Sequence, residues 1–250
     1  MSRTEPRPRK PGSSRPSQTG TTPRRPARRR GPARAPASRP SLRSMRPDLS
    51  RELALLASGR IPVAGLDEAG RGALAGPVVA AAVVLPLDRF DLSRVLAEVR
   101  DSKQLTPRQR ERCAEAVLSI ALSTAVGQAE AAEVDALGLL PATRAAMARA
   151  LAQLAIQPCH LLIDHLRLPE IPLDQSPVTH GDALVLSIAA ASVLAKVARD
   201  RMLVALDQQY PGYGLARHKG YGTAQHQAAL RRLGPCPIHR RSYAPVAAVS

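Results

Sequence analysis

The sequence predicts an α/β layer fold built on a mixed sheet, and three observations carry that expectation. Residues 77–85 are a nearly unbroken apolar run, as a strand buried on both faces requires. Strand-like and helix-like patterns alternate between residues 61 and 206, the order that stacks helices on a sheet. Residues 182–206 form a long Ala-rich run whose most apolar part is broken only by Ser and Lys, which reads as a buried helix. Aromatics are 2% of the chain, with a single Phe, so Ala, Leu, Val and Ile must build the core.

In chain order, residues 49–58 read as a short helix and 61–66 as a strand ending on Asp67-Glu68. Gly70 and Gly72 make a turn before the apolar strand at 77–85. Thr106-Pro107 sets an N-cap residue before proline at the first helical position, opening a helix to about Leu122. Residues 124–128 form a third strand, 131–137 and 141–155 two helices, and 159–164 an apolar strand that stops on an acid. The long helix at 182–206 follows, and 207–250 is turn-rich with one helix near 223–232.

The formal net charge of +16 is unevenly spread. Residues 1–47 hold 14 of the 36 Lys and Arg, 10 of the 23 Pro and one acid, Glu5, leaving only +3 on residues 48–250. With no Leu, Ile, Val or Phe before Leu42, this stretch cannot bury enough apolar surface to offset its chain entropy. Residues 1–48 are therefore expected to be a disordered, basic Pro/Arg-rich tail, and 49–250 one domain. The tail serves either as a loose electrostatic tether to nucleic acid or as a solvated linker. A translation start at Met45 would remove it, which the intact mass of the native protein tests. It lacks the apolar segment of a secretory signal. No apolar run reaches the ~18 residues of a membrane span. Three scattered cysteines, Cys113, Cys159 and Cys236, argue against a disulfide framework and for a reducing, cytoplasmic setting. Cys236 and His239 have zinc-like spacing, but no second pair follows to make four ligands.

Acids stand at the ends of three buried apolar elements. Asp67 and Glu68 end the first strand. Because neighbouring strand residues point to opposite faces, that strand must end or bulge there for both to face one site. Asp164 ends a strand at the edge where open α/β sheets place ligands. Asp182 opens the long helix, where the helix dipole favours a carboxylate. Alone, Asp164 reads as a turn residue and Asp182 as a cap. Adjacent acids beside a glycine turn would repel without a cation, and an all-carboxylate set suits Mg²⁺ or Mn²⁺ rather than zinc. The same turn has a rival reading as a dinucleotide loop. Its Gly70-x-Gly72-x-x-x-Gly76 spacing is one residue too long, and a strand follows where a helix should.

Asp67-Glu68-Ala69-Gly70-Arg71-Gly72, with Gly76-Pro77 after it, resembles the opening signature of type 2 ribonuclease H (ribonuclease HII). Further blocks follow in the family order: Asp101-Ser102-Lys103-Gln104-Leu105, Gly181-Asp182 with the run from Ser187 to Asp200, His218-Lys219-Gly220-Tyr221-Gly222-Thr223, and Gly234 through Ser242. Any one block is weak; five in order are specific. The resemblance implies a ribonuclease-H-like mixed sheet flanked by helices, with a helical C-terminal extension over about 207–250. It implies that Asp67, Glu68, Asp164 and Asp182 are the catalytic acids and hold two divalent ions, Mn²⁺ or Mg²⁺. It implies that Gly70, Arg71 and Gly72 contact the ribonucleotide 2′-hydroxyl with help from Tyr221. Two departures stand out: His165 where the family usually has glycine, and Gly138 where it commonly has Asn.

The implied activity is hydrolysis of the RNA strand of RNA/DNA hybrids, and cutting 5′ of single ribonucleotides in duplex DNA, with 5′-phosphate and 3′-hydroxyl ends. Lys103, Lys196, Arg240 and Arg241 are candidate phosphate contacts. Lys196 follows Asp182 by close to four helical turns, so both can face one side, but an i,i+4 pair with Asp200 accounts for it equally well. His218 and His239 read as structural. The expected partner is the nucleic-acid duplex, with no membrane, no small-molecule cofactor and a monomeric chain. A non-catalytic duplex-binding protein on the same scaffold is the competing class, disfavoured because all four acids are present.

Overall fold

The computed structural model describes residues 46–250. The expected tail lies outside the described residues up to residue 45. Asp48 already belongs to the packed body: its amide donates to Leu184 O at 3.2 Å and its carbonyl accepts from Leu186 N at 2.9 Å.

Helix α1 (Ser50–Ala57) leads to strand β1 (Val63–Ala69), and the glycine-rich turn then feeds β2 (Val78–Val84). A short α2 (Leu92–Val95) and α3 (Pro107–Ile120) precede β3 (Ser123–Ala129). Helices α4 (Ala131–Leu137) and α5 (Leu139–Ala152) precede strands β4 (His160–Asp164) and β5 (Asp174–Val178). The short α6 (Gly181–Leu184) and long α7 (Leu186–Gln209) follow, then α8 (Leu215–His218), α9 (Ala224–Leu233) and α10 (Ala244–Ala247). No helix of the described residues is long and apolar enough to cross a membrane.

The sheet order is β3-β2-β1-β4-β5. β2 pairs antiparallel with β1 and β3, while β4 is parallel to β1 and β5. This is the mixed sheet expected, and its core is two-sided. Every residue of β2 is buried. Ala81 and Val83 pack toward α3 and α7, whereas Val78, Ala80, Ala82 and Val84 pack toward α4 and α5, as the two-residue strand period dictates. The cap predicted for α3 is present as a capping box, with Thr106 and Gln109 bonding each other's main-chain amides.

Three details depart from expectation. β5 was not anticipated, because Asp174-Gln-Ser-Pro-Val178 is polar and holds a proline; as an edge strand it needs only one paired side and tolerates Pro177. The long helix does not begin at Asp182. Val185 is extended (φ −123°, ψ 121°) and separates α6 from α7, so Asp182 sits on a detached turn rather than on the dipole of a long helix. β1 neither ends nor bulges at its acids but pairs regularly with β2 through Ala69.

Gly65 brings β1 and α7 together. A Cβ there would lie 2.3 Å from the carbonyl carbon of Ser187, and main chain cannot swing away as a side chain does. Gly65→Ala is expected to cost about 3 kcal/mol, the upper range for overpacking, seen as a lower midpoint in urea.

Candidate functional site

The parallel register of β1 and β4 creates the site. Their last pair is Leu66 with Ile163, so Asp67 and Asp164 stand side by side one residue further on. β4 stops there while β1 continues to Ala69. Beyond Leu66 the β4 side of β1 is therefore open, and both Asp67 and Glu68 reach the gap from opposite faces of the strand. They line a cleft of about 450 Å³ with Asp164, the Gly70-Arg71-Gly72 turn, Lys103, Lys196 and Tyr221. Asp182 joins through Lys103, whose Nζ lies 3.2 Å from Asp182 Oδ2.

Each acid is presently held by a local partner. Glu68 Oε1 accepts from Arg71 Nη1 at 3.1 Å, Asp164 Oδ1 from the Gly181 amide at 2.7 Å, and Asp67 Oδ1 from the Glu68 amide at 2.7 Å. Among the described residues, no three His, Cys, Asp or Glu side chains converge as a ready-made metal cage. The electrostatics nonetheless call for positive charge. Burial, then the charges of Glu68 and Asp164, push the Asp67 carboxyl well above the usual carboxylate range. Burial also raises Glu68, opposed by Arg71, and Asp164, opposed by the Gly181 amide. Burial alone would lower the Lys103 ammonium, but Asp182 and Asp101 outweigh it and raise it. Glu68 Oε2 is buried with no hydrogen-bond partner. An orphaned carboxylate oxygen among repelling, all-oxygen donors fits hard divalent cations.

The candidate phosphate contacts divide. Lys103 and Lys196 line the cleft, although Lys196 is also paired with Asp200 at 2.6 Å. Arg241 is exposed and offers its amide to Asp135 Oδ2 at 2.8 Å, away from the cleft lining. Arg240, expected as a phosphate contact, faces inward instead. It is 0% exposed, and its guanidinium is consumed by Gly76 O, Arg71 O and the Tyr243 hydroxyl, so it cannot reach a substrate phosphate.

His165 is exposed with φ 56°, a left-handed conformation that explains why glycine is usual there in the resembling family. Gly138 also has positive φ (84°), between α4 and α5. His239 is buried, its Nε2 3.0 Å from His226 Nε2, and burial followed by the neighbouring imidazole pulls it down to about 4. Its Nδ1 lies 3.1 Å from Cys236 Sγ, which binds the C-terminal turn together. Neither His218 nor His239 lines the acid cleft.

Sequence reasoning missed two cleft residues, Ser102 and Ser192, whose hydroxyls are 3.0 Å apart and buried. The available sign was that Ser192 is one of only two hydroxyls, with Ser187, within the apolar run of α7. A larger cavity of about 660 Å³ adjoins, sharing Lys196 and Tyr221 but none of the acids.

The family model described as Ribonuclease HII matches residues 64–246. A ribonuclease HII of Dehalococcoides mccartyi is 50% identical over 200 residues, covering 80% of this chain and 94% of the relative. One from Thermus thermophilus is 55% identical over 186 residues, covering 74% and 87%. The crystal structure of the ribonuclease H2 from Pyrococcus horikoshii OT3 superposes with a TM-score of 0.61 at 28% identity, covering 75% of this chain and 96% of that one.

Proposed function

The chain belongs to the ribonuclease HII family, and from that premise we propose that it hydrolyses the RNA strand of RNA/DNA hybrids and cuts 5′ of single ribonucleotides in duplex DNA. The observation that carries this reading is the cleft itself. Buried carboxylates, an open glycine turn and a tyrosine ring share one wall-to-wall space.

Asp67, Glu68, Asp164 and Asp182 would hold two divalent ions, Mn²⁺ or Mg²⁺. When bound, such ions make water nucleophilic at neutral pH and stabilise the leaving oxygen. The protein's own groups set the rest. The Glu68 amide holds one oxygen of the Asp67 carboxyl. Lys103 balances the negative charge beside Asp182 and offers an exposed ammonium to a substrate phosphate. Water attacks phosphorus in line as the P–O3′ bond breaks, leaving a 3′-hydroxyl on one fragment and a 5′-phosphate on the other. The partner is the duplex, and we place the reaction in the cytoplasm with the chain acting as a monomer.

Recognition of the 2′-hydroxyl falls to the turn and to Tyr221. An added Cβ at Gly72 meets nothing within 4 Å, so no packing demand of the protein accounts for glycine there. A sugar lying against the main chain does account for it. Gly72→Ala is therefore expected to lower kcat/KM about tenfold or more while stability changes by less than ~0.5 kcal/mol; a steady-state assay beside a melting curve reads both. Tyr221→Ala should reduce cleavage at a single embedded ribonucleotide about 10²-fold, the scale of a lost positioning contact, with a much smaller loss in duplex binding.

The deciding experiment incubates duplexes carrying one ribonucleotide or an all-RNA strand with the protein in Mg²⁺, Mn²⁺ or EDTA, and maps the product ends. Cleavage with either ion, none in EDTA, and 5′-phosphate ends are expected. A duplex bound but never cut with either ion would overturn the proposal.

A further inference from the structure

Two arginines are among the largest side chains with no exposed surface, Arg199 and Arg240, both at 0%. Burying a guanidinium is costly unless its donors are satisfied, and the usual solution is a carboxylate. Among the described residues neither arginine hydrogen-bonds to one. Arg199 gives Nε to Pro77 O at 2.9 Å, Nη2 to Ala75 O at 3.0 Å and Nη1 to Lys219 O at 2.9 Å. Arg240 gives Nη2 to Gly76 O at 2.9 Å and Nη1 to Arg71 O at 2.8 Å, with the Tyr243 hydroxyl at 3.1 Å from the same nitrogen. Tyr243 in turn donates to Arg71 O at 2.7 Å.

The acceptors of Arg199 belong to two stretches that must meet for the sugar contact to exist, and the carbonyls held by Arg240 both belong to the first of them. One is the loop from Arg71 to Pro77, carrying the glycine turn. The other is the segment carrying Lys219 and Tyr221. They already touch through main chain: Leu74 N donates to Gly220 O at 2.8 Å, and Ala73 bridges Tyr221. Arg199 lies between their working parts. A Cβ on Gly70 would fall 2.0 Å from Arg199 Nε, and the guanidinium carbon is 5.4 Å from the centre of the Tyr221 ring. The left-handed backbone of Lys219 (φ 53°) brings its carbonyl to that guanidinium, a conformation that costs a non-glycine residue.

We propose that Arg199 and Arg240 are positioning residues, Arg199 clamping the loop that carries the Gly70–Gly72 turn against the segment of Tyr221 and Arg240 holding that loop in shape from the C-terminal side, and that together they set the enzyme's demand for a ribose 2′-hydroxyl at an isolated site. The proposal rests on the 2′-hydroxyl reading above. The planar fork is what matters. A lysine preserves the charge but presents one compact donor head, which cannot span the two segments that Arg199 joins or the two loop carbonyls that Arg240 holds.

The test compares wild type with Arg199→Lys and Arg240→Lys on a duplex with one ribonucleotide and on a long RNA/DNA hybrid. The ratio of the two kcat/KM values is independent of the folded fraction, so general destabilisation leaves it unmoved. The hybrid presents ribose at every register and tolerates a displaced turn, so a fall of about tenfold in the ratio is expected. Tyr243→Phe, which removes one oxygen and keeps the ring, should shift the ratio the same way by roughly threefold and serves if the lysine variants do not fold. In parallel, amide exchange at Leu74, Gly76 and Tyr221 should quicken at least tenfold in the arginine variants relative to amides of β2. Wild-type ratios and wild-type exchange in these variants would overturn the clamp. A wild-type protein that cuts neither duplex would instead defeat the proposed activity, and the exchange rates alone would then decide the clamp.

Discussion

Replacing Asp67 by Asn is expected to lower cleavage by roughly 10³-fold or more, on the order of 4 kcal/mol of transition-state stabilisation, while most of the duplex affinity survives. Asp67 is 4% exposed and sits at the centre of the acid cluster, next to Glu68 in sequence and to Asp164 across the parallel register. Duplex affinity draws on the phosphate backbone, which a single buried carboxylate does not touch. The same substitution should stabilise the metal-free protein. The folded state holds this carboxyl at a raised value because burial and like charges oppose its ionisation, and a neutral amide relieves that. A gain on the order of 1 kcal/mol corresponds to about 2–4 °C in Tm for a body of this size. Loss of activity together with gain of stability is a combined signature that simple misfolding does not produce. Cleavage by Asp67→Asn near the wild-type rate at saturating Mg²⁺ would remove Asp67 from the catalytic set.

Stripping divalent cations should abolish cleavage, and restoring them should raise Tm increasingly as pH rises. Asp67, Glu68 and Asp164 all have raised values in the fold. A carboxyl raised on folding favours the folded state while protonated. That contribution is complete below its unfolded value, near 4, and is lost as pH climbs through the folded value. In the metal-free protein the contribution of these three carboxyls should therefore fall from about pH 4 upward until they are ionised, while His239, held down to about 4, contributes in the opposite direction and cancels between curves with and without cation. Cations bind the ionised forms, so their stabilisation grows over the same window. Ligand linkage gives about 2.7 kcal/mol at a hundredfold excess over Kd. Melting curves between pH 4 and 8 in EDTA and in Mn²⁺ measure the gap. A gap that is flat with pH, or largest in acid, would contradict binding at these carboxylates.

Both expectations trace to residues readable in the chain, but legibility was uneven. The buried strand at Val78–Val84 declared itself because every side chain along it is apolar, and the capping box of Thr106 and Gln109 is a local exchange of hydrogen bonds. β5 was hidden because edge pairing supplies what its polar residues do not signal. Arg240 was misread because an arginine in a basic, turn-rich stretch resembles a phosphate ligand. Only packing shows it turned inward onto Gly76 and Arg71. Ser192 has no distinguishing mark within an apolar helix, and only the packing of that helix brings it to the cleft that Asp67 lines.

By itself the sequence determined what is local: the period of each element, the caps, the glycines and the identity of the acids. Those depend on neighbours a few positions away, where side-chain type and backbone sterics suffice. The tertiary structure alone decided which acids share a cleft, because Asp67 and Asp164 meet only through the parallel register of β1 and β4. It alone decided that β1 overruns β4 and opens the gap for Glu68, and that Arg199 and Arg240 face inward. Such outcomes follow from strand order and from contacts between residues more than a hundred positions apart. No short window of chain encodes them, since their energy exists only once both surfaces are desolvated together.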